Sequence, residues 1–367
     1  MDKHKTIFIT GADGFIGGRI AERLFLENLA KVKAGVKDWL GAARIGRFPI
    51  EIVKCDVLSD VKNLVELIKG TDTVIHCAYG NKLVNERGTE NLLNASLKAG
   101  IKRFIYFSTV EVYSGASGEI SELTPLKYSG NEYADSKINA EKIVREYQKK
   151  GLPITILRPT MVYGPFCRVW TINVAERLLS GNWKLSPKFN GFCQPVYVDD
   201  MVDAVLAALN SDKAVGESFN VGNPQVLTWA DFFKEFNNAL GLLPLKIQNS
   251  GLLRIKTLFI HPIRKTAAHI AKNYLNLIKK ICSKHPFLKS TARKIESFLK
   301  TSTTKNELSL YERKAIYITE KAYQILGYRP CFDLKRGLQL TSAWLRHNGY
   351  ESPEKIKKLH PKDREKK

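Results

Sequence analysis

Ile7, Phe8 and Ile9 open the chain as an apolar, β-prone run that breaks at Gly11, and Phe15, Ile16, Ile20, Ala21, Leu24 and Phe25 then recur with helical spacing. The same exchange of periods repeats downstream. Strands are expected over 30–36, 50–53, 73–77, 104–107 and 154–157, and helices over 61–68, 84–99 and 134–147. Alternation of this kind builds βαβ units, hence a parallel sheet with right-handed crossovers. Beyond Pro165 the order loosens: 170–179 and 201–209 read as helices, and the short apolar strand 195–198 between them is expected to rejoin the sheet.

The resulting fold class is α/β, a Rossmann-type doubly wound parallel sheet with a smaller, mostly helical C-terminal substrate domain. Residues 1–165 form the nucleotide-binding domain, which 193–210 rejoin, and 166–192 with 211–350 form the substrate domain. Within the latter, 251–304 is a helical, basic, Leu- and Ile-rich insert. Residues 316–349 regain globular character, with Trp344 expected in the core, and the tail 351–367 is too charged to pack.

The first turn carries the first chemistry. In Thr10-Gly11-Ala12-Asp13-Gly14-Phe15-Ile16-Gly17, Gly11 permits a left-handed backbone, Gly14 lets the chain approach a pyrophosphate, and Gly17 lets helix and strand pack closely. The helix that starts there offers free N–H groups and partial positive charge to an anion. Three glycines at this spacing are common in ordinary βα turns; their place directly after the first strand of an α/β chain is what favours a nucleotide.

Composition adds limits. A chain of 367 residues with 44% hydrophobic content has ample material for a core. Six scattered cysteines without a C-x-x-C, and no apolar leader ahead of the first strand, imply reduced thiols, a cytoplasmic location and no bound metal. No uncharged apolar run reaches about 18 residues, so no membrane span is expected. The net charge of +22 is the outlier, and it asks for a polyanionic partner. Between Lys246 and Lys305, fourteen Lys and Arg stand against the single acid Glu296, a net +13 that holds more than half of the total. Ile263, Ala267, Ile270, Tyr274, Leu277 and Ile281 recur there every three or four positions among these bases, the pattern of a basic amphipathic helix. An anionic membrane surface, as at the inner membrane face, is one reading; packing on the substrate domain with solvated lysines is the other. A nucleic-acid partner is disfavoured because clustered base-stacking aromatics are lacking.

A second constellation is Tyr133-Ala134-Asp135-Ser136-Lys137, which sets Tyr133 and Lys137 one helical turn apart on one face. A lysine so placed favours the phenolate and gives a proton donor and acceptor usable near neutral pH. With Ser108-Thr109 at a strand end one βα unit earlier, the chain resembles an extended short-chain dehydrogenase/reductase, the class of the NAD-dependent epimerase/dehydratase proteins. The resemblance runs in order through Thr10-Gly11-x-x-Gly14-x-x-Gly17, Asp56-Val57, Ile75-His76-Cys77-Ala78, Asn85-x-x-Gly88-Thr89, Ser108-Thr109-x-x-Val112-Tyr113, Tyr133-x-x-x-Lys137, Leu157-Arg158-Pro159-x-x-Val162-Tyr163-Gly164-Pro165 and Val198-Asp199-Asp200. It covers residues 5 to about 225, and Leu326-Gly327-Tyr328-x-Pro330 with Trp344 is similar to the family's usual end.

That resemblance implies roles. Tyr133 would be the catalytic acid/base, Lys137 its partner and a ligand of the nicotinamide ribose, and Thr109 the hydroxyl that orients the reacting oxygen. Glu111 stands where sugar-nucleotide dehydratases and decarboxylases carry a proton-transferring Glu, although Val110 replaces the Asp that dehydratases pair with it. Cofactor contacts would come from Gly11, Asp13, Gly14, Phe15, Ile16 and Gly17, from Lys37, Asp56 and Val57, from Cys77, Ala78 and Tyr79, and from Tyr133, Lys137 and Pro159. Gly35 stands where NAD-binding members are counted to carry an acid, and Lys37 where NADP-binding members place a base, which favours NADP(H) with NAD(H) as the alternative; Asp38 could take the ribose instead. Asp199 and Asp200 are read as helix-capping rather than chemical.

The departures from the family bear on substrate. Met161 replaces a frequent Asn, Cys193 lies where a diphosphate-binding Arg is common, and the stretch between Ala78 and Asn85 is short. Weight therefore moves from soluble nucleotide sugars toward lipid-linked substrates. The reading is an NAD(P)-dependent oxidoreductase or epimerase acting by hydride transfer on a secondary alcohol or ketone of a sugar-containing or lipid-linked small molecule, as in cell-surface glycan synthesis. A 3β-hydroxysteroid-dehydrogenase-like reductase, a sugar-nucleotide dehydratase or decarboxylase, and a non-catalytic nucleotide-binding scaffold are the alternatives. A homodimer is left open.

Overall fold

A computed structural model of the chain describes residues 3–251, 253 and 302–351. The basic stripe that the sequence places within 251–304 lies almost wholly outside the described residues, as does the tail beyond 351. Strands β1 (Thr6–Thr10), β2 (Lys31–Val36), β3 (Glu51–Lys54), β4 (Thr73–His76), β5 (Arg103–Phe107), β6 (Gly118–Ile120), β7 (Ile154–Pro159), β8 (Met161–Tyr163), β9 (Phe192–Cys193), β10 (Pro195–Tyr197), β11 (Ser218–Val221), β12 (Leu227–Thr228) and β13 (Ala315–Tyr317) alternate with helices. Seven of them make one parallel sheet in the order β11-β7-β5-β4-β1-β2-β3. Helices α1 (Phe15–Leu26), α2 (Val61–Ile68), α3 (Thr89–Lys98) and α4 (Glu132–Lys149) are the crossovers the alternation predicts.

Strands β4 and β7 are buried along their whole length, as expected of a sheet covered on both faces. On one side Phe8, Val74, Phe104 and Ile156 meet Leu64, Ile68, Leu92, Ala140 and Val144 in a continuous apolar core. The helix expected over 84–99 begins as a single π-turn, Val84–Gly88, before α3. Gly88 is required at that join, because a Cβ there would stand 2.6 Å from Cγ2 of Val57.

The strand expected to rejoin the large sheet does not. β10 pairs instead with β8 in a separate two-stranded sheet, and β11 takes the edge beside β7. Four residues with alternating polar side chains, Ser218 and Asn220, gave β11 a weak apolar signature. Asn220 is polar because it closes a buried network: it accepts from the Tyr113 hydroxyl at 2.9 Å and donates to the carbonyls of Ile120 and Ile318. The Tyr113 hydroxyl in turn accepts from Arg158, whose guanidinium grips Glu141 through both oxygens at 2.9 and 2.6 Å.

The chain divides into two compact units. The first comprises residues 1–163, 194–225 and 315–334, and the second 164–193, 226–314 and 335–367. Residues 211–225 and 315–334, given to the substrate domain on sequence, thus group with the nucleotide-type unit through β11 and through β13, which pairs with β6. The helix α6 (Val198–Asn210) of the first unit carries Asp199 and Asp200 in its first turn. Neither side chain caps it. Asp199 meets Arg19 at 2.5 Å, and the fully buried Asp200 accepts the backbone N–H of Cys331 at 2.6 Å and of Phe332 at 3.3 Å. Burial pushes the Asp200 carboxyl up to about 6. In the second unit, α5 (Asn173–Leu179), α7 (Trp229–Ala239) and α8 (Lys305–Glu312) enclose an aromatic cluster of Trp183, Phe189, Trp229, Phe233 and Tyr311. Trp344, on α9 (Leu334–His347), is only half-buried and lies against Phe166 at a centroid distance of 5.0 Å.

Candidate active site in the first unit

The turn between β1 and α1 is built as the glycine spacing requires. Gly11 has φ +63, and a Cβ on it would lie 2.9 Å from both Cα and N of Ala78. Gly14 is the N-cap of α1 in extended conformation, and the helix opens at Phe15 with the amides of its first turn free of helical partners. A Cβ on Gly17 would come within 2.4 Å of the Gly11 carbonyl oxygen, so only glycine lets strand and helix approach this closely. Asp13 lies beside Gly41, whose added Cβ would meet its Oδ2 at 2.7 Å.

The ends of neighbouring strands supply the rest. Lys37 is exposed immediately after β2. Asp38 is engaged elsewhere, accepting the Gly41 N–H at 2.9 Å. Gly35 is not an emptied acid position: its added Cβ would meet Phe8 Cζ at 2.9 Å and Cys55 Cβ at 3.0 Å, so that side of β2 faces packed core. After β3, Asp56 is exposed and accepts the Leu58 N–H at 3.0 Å, while Val57 is buried. After β4, the Cys77 N–H reaches the Thr10 carbonyl and the Ala78 N–H reaches the Thr10 hydroxyl at 3.2 Å; Tyr79 is exposed. Pro159 closes β7 and is buried.

Thr109 follows β5 and caps the short 3-10 turn Val110–Tyr113 by accepting the Glu111 N–H at 3.2 Å. Asn131 caps α4 by accepting from Tyr133 N at 3.0 Å and Ala134 N at 3.3 Å, which sets Tyr133 in the first turn and Lys137 one turn on. The Tyr133 hydroxyl lies near the Thr109 side chain, which favours its ionised form. Although 40% of Tyr133 is exposed, burial around its hydroxyl pushes the pKa up to about 12, with the nearby Thr109 side chain opposing and Glu111 and Tyr79 adding to the rise.

Lysine assistance therefore differs from the expectation. The Lys137 ammonium donates to the Phe107 carbonyl at 2.8 Å and lies 5.0 Å from the centre of the Tyr106 ring. Burial lowers its pKa to about 8. The structure thus brings Thr109, Glu111, Tyr133 and Lys137 together at the C-terminal ends of β5 and the start of α4. Ser108, which the sequence named beside Thr109 at this strand end without giving it a role, has a buried hydroxyl with no hydrogen-bond partner among the described residues. A cation could find Asp200, Asp203 and Cys331, whose ligand atoms lie within 4.8 Å of one another, but Asp203 is already paired with Arg23 at 2.7 Å.

The sequence family described as the NAD dependent epimerase/dehydratase family matches residues 7–222. The chain belongs to that family. An N-acetyl-α-D-glucosaminuronate decarboxylase acting on the UDP sugar, from Bacillus cytotoxicus, is 31% identical over 257 residues, which are 60% of this chain and 75% of the relative. The N-acetyl-α-D-glucosaminyl-diphospho-ditrans,octacis-undecaprenol 4-epimerase of Escherichia coli O157:H7 is 27% identical over 231 residues, 58% of this chain and 66% of the relative. The solved structure of the dTDP-glucose 4,6-dehydratase DesIV of Streptomyces venezuelae, with NAD bound, shares the fold at a TM-score of 0.70 and 21% identity, covering 95% of this chain and 99% of that one. This epimerase/dehydratase chain is thus an NAD-dependent enzyme, and its residues fit a dinucleotide. Gly11 and Gly17 let the Ala78 backbone, β1 and α1 close up with no Cβ between them, and the turn leads into the first-turn amides of α1, which have no helical carbonyl to serve and suit a pyrophosphate.

Among the described residues no helix is long and apolar enough to cross a membrane.

Proposed function

We propose that the enzyme oxidises a secondary alcohol, or reduces the matching ketone, on a diphosphate-linked sugar whose carrier is a nucleotide or a lipid, and that it yields epimers when a transient ketone is reduced from its other face. The observation that carries this reading is the Tyr133 side chain beside Thr109, with Lys137 one turn on along α4, in the same unit as the glycine turn. A bound nicotinamide dinucleotide supplies the hydride acceptor and donor. Gly11, Gly14 and Gly17, with the first turn of α1, would hold its pyrophosphate; Asp56 and Val57 would lie toward the adenine and Ala78 toward its middle. Lys37 supports NADP(H) over NAD(H).

Tyr133 is a neutral phenol at pH 7, since its pKa stands at about 12, and so is poised to give a proton to a ketone oxygen. Thr109 orients that oxygen, and the buried Lys137 ammonium, turned to the Phe107 carbonyl, is left to hold the nicotinamide ribose. Glu111, which the Tyr133 phenol senses electrostatically, supports a second reading in which a further proton is moved for elimination or decarboxylation. The missing nucleotide-sugar anchors at Met161 and Cys193 favour a lipid carrier, and the second unit is left to substrate recognition.

The test is incubation of the full chain and NAD⁺ or NADP⁺ with UDP-N-acetylglucosamine, UDP-glucuronic acid and undecaprenyl-diphosphate N-acetylglucosamine in detergent, read by proton NMR for a new epimer or keto sugar. Tyr133→Phe should lower the rate by about 10²- to 10⁴-fold while leaving cofactor affinity nearly unchanged. A smaller than roughly tenfold drop would remove Tyr133 from the proton transfer.

A further inference from the structure

His76 ends β4 at 1% exposure, with its ring 6.2 Å from Phe104 and 5.9 Å from Tyr106. Its Nδ1 is 2.8 Å from the Thr10 hydroxyl and its Nε2 3.0 Å from the Thr89 hydroxyl. Each threonine has one proton to give. Thr89 donates its own to the Asn85 carbonyl at 2.6 Å, so its oxygen must accept from Nε2–H. Nδ1 is then a bare acceptor that takes the Thr10 proton, which frees the Thr10 oxygen to accept the Ala78 N–H at 3.2 Å. One assignment satisfies every partner.

The line continues on both sides. Thr10 leads into Gly11, against which the Ala78 backbone is pressed, so this end is the wall of the cofactor turn. At the other end Asn85 donates to the Gly80 carbonyl at 3.1 Å and to the Ser136 hydroxyl at 3.0 Å, and Ser136 donates to the Tyr133 carbonyl at 2.9 Å. We infer that His76 is a positioning residue: a neutral imidazole with its proton on Nε2 that ties the cofactor turn to the segment holding the first turn of α4. Its value for turnover rests on the role proposed for Tyr133, whereas the tie itself does not.

Burial keeps the ring neutral, since it drives the His76 pKa down to about 3 with the nearby Lys137 charge adding to the effect. A fixed tie of this kind serves hydride transfer because misplacing reacting groups by about 1 Å costs on the order of 10²-fold in rate.

Two measurements test the inference. In full-length protein labelled with ¹⁵N-histidine, one ring should stay neutral from pH 8 down to pH 5 with its proton on Nε2. A proton on Nδ1, or an imidazolium for every histidine at pH 5, overturns it. Calorimetric titration with NAD⁺ then compares His76→Phe, Thr89→Val and the double variant. Loss of one tie of hydrogen-bond strength predicts roughly tenfold weaker binding in each single variant, and no further loss in the double. Unchanged affinity in the folded single variants, or multiplied losses in the double, overturns the tie. Should His76→Phe not fold, His76→Gln takes its place: it keeps a donor toward Thr89 and should bind NAD⁺ no more weakly than Thr89→Val, and weaker binding than that overturns the tie. Failure of the wild type to bind both NAD⁺ and NADP⁺ would count against the cofactor reading, and the ring's proton would still decide the inference.

Discussion

The Lys137 ammonium donates to the Phe107 carbonyl at 2.8 Å from a position only 4% exposed. Folding therefore strips a charge of water for one backbone bond and a contact with the Tyr106 ring. Burial, opposed by Glu141 and Cys77, lowers the lysine from 10.5 to about 8. Between those values the unfolded chain binds a proton that the folded chain has released, so stability rises with pH there; below 8 both states carry the proton and the folded state bears the whole penalty. The gap corresponds to about 3 kcal/mol.

Lys137→Met should accordingly fold more tightly at pH 7, by about 1–3 kcal/mol after the lost carbonyl bond is subtracted, and should lose turnover. The gain should vanish by pH 10. Denaturant midpoints at the two pH values check this, and a variant less stable than wild type at pH 7 would show that the bond to Phe107 outweighs the desolvation.

Gly17→Ala tests the cofactor turn. A methyl group 2.4 Å from the Gly11 carbonyl must push β1 and α1 apart, because the opposing atom is backbone and has no rotamer to change. Cofactor affinity should fall by more than about 100-fold while the fold survives, since the cost of overpacking is typically about 1–3 kcal/mol. Wild-type affinity measured by NADH fluorescence would mean the pyrophosphate is held elsewhere.

The parallel sheet was legible because each βα unit announces itself twice, by period and by turn. What escaped was decided by polar satisfaction rather than by pattern. Asn220 sits in β11 to serve Tyr113 and two carbonyls, and no periodicity encodes that. Asp200 looked like a cap from its position and turned out to pin the Cys331–Phe332 backbone, a partner more than a hundred residues away in sequence. Within the site, spacing set Tyr133 and Lys137 one helical turn apart, and the family resemblance, not spacing, singled out Thr109. The direction in which Lys137 points could not be read, because it depends on which carbonyl lies nearest. His76 read as one letter of a strand-end motif, and its bonds to Thr10 and Thr89 exist only once β1, β4 and α3 are assembled.

Since Gly35 faces Phe8 and Cys55, the proposed preference for NADP(H) rests on Lys37. A charge-assisted bond to a 2′-phosphate contributes about 1.5–3 kcal/mol, or roughly ten- to hundredfold in affinity. NADP(H) should then bind more tightly than NAD(H), and Lys37→Ala should erase the difference without weakening NAD(H). Equal affinities in the wild type would leave Lys37 a solvated side chain.

The charge between Lys246 and Lys305 gives the last prediction. A net +13 over sixty positions, with apolar residues every three or four places from Ile263 to Ile281, supports binding to anionic membrane surfaces, where each Lys or Arg contributes about 1 kcal/mol. A lipid-linked sugar would be presented at the same surface, which connects this charge to the missing anchors at Met161 and Cys193. Co-sedimentation of the full chain with vesicles containing phosphatidylglycerol should require the anionic lipid and weaken as added salt shortens the Debye length to about 3 Å at 1 M. Replacing Lys272, Lys279, Lys280 and Lys284 by Glu reverses the charge of one stretch, a net change of eight, and should abolish sedimentation while cofactor binding persists. Vesicle binding that is indifferent to both salt and these replacements would place the contact elsewhere on the chain, and no binding at low salt would leave the lysines as a solvated face.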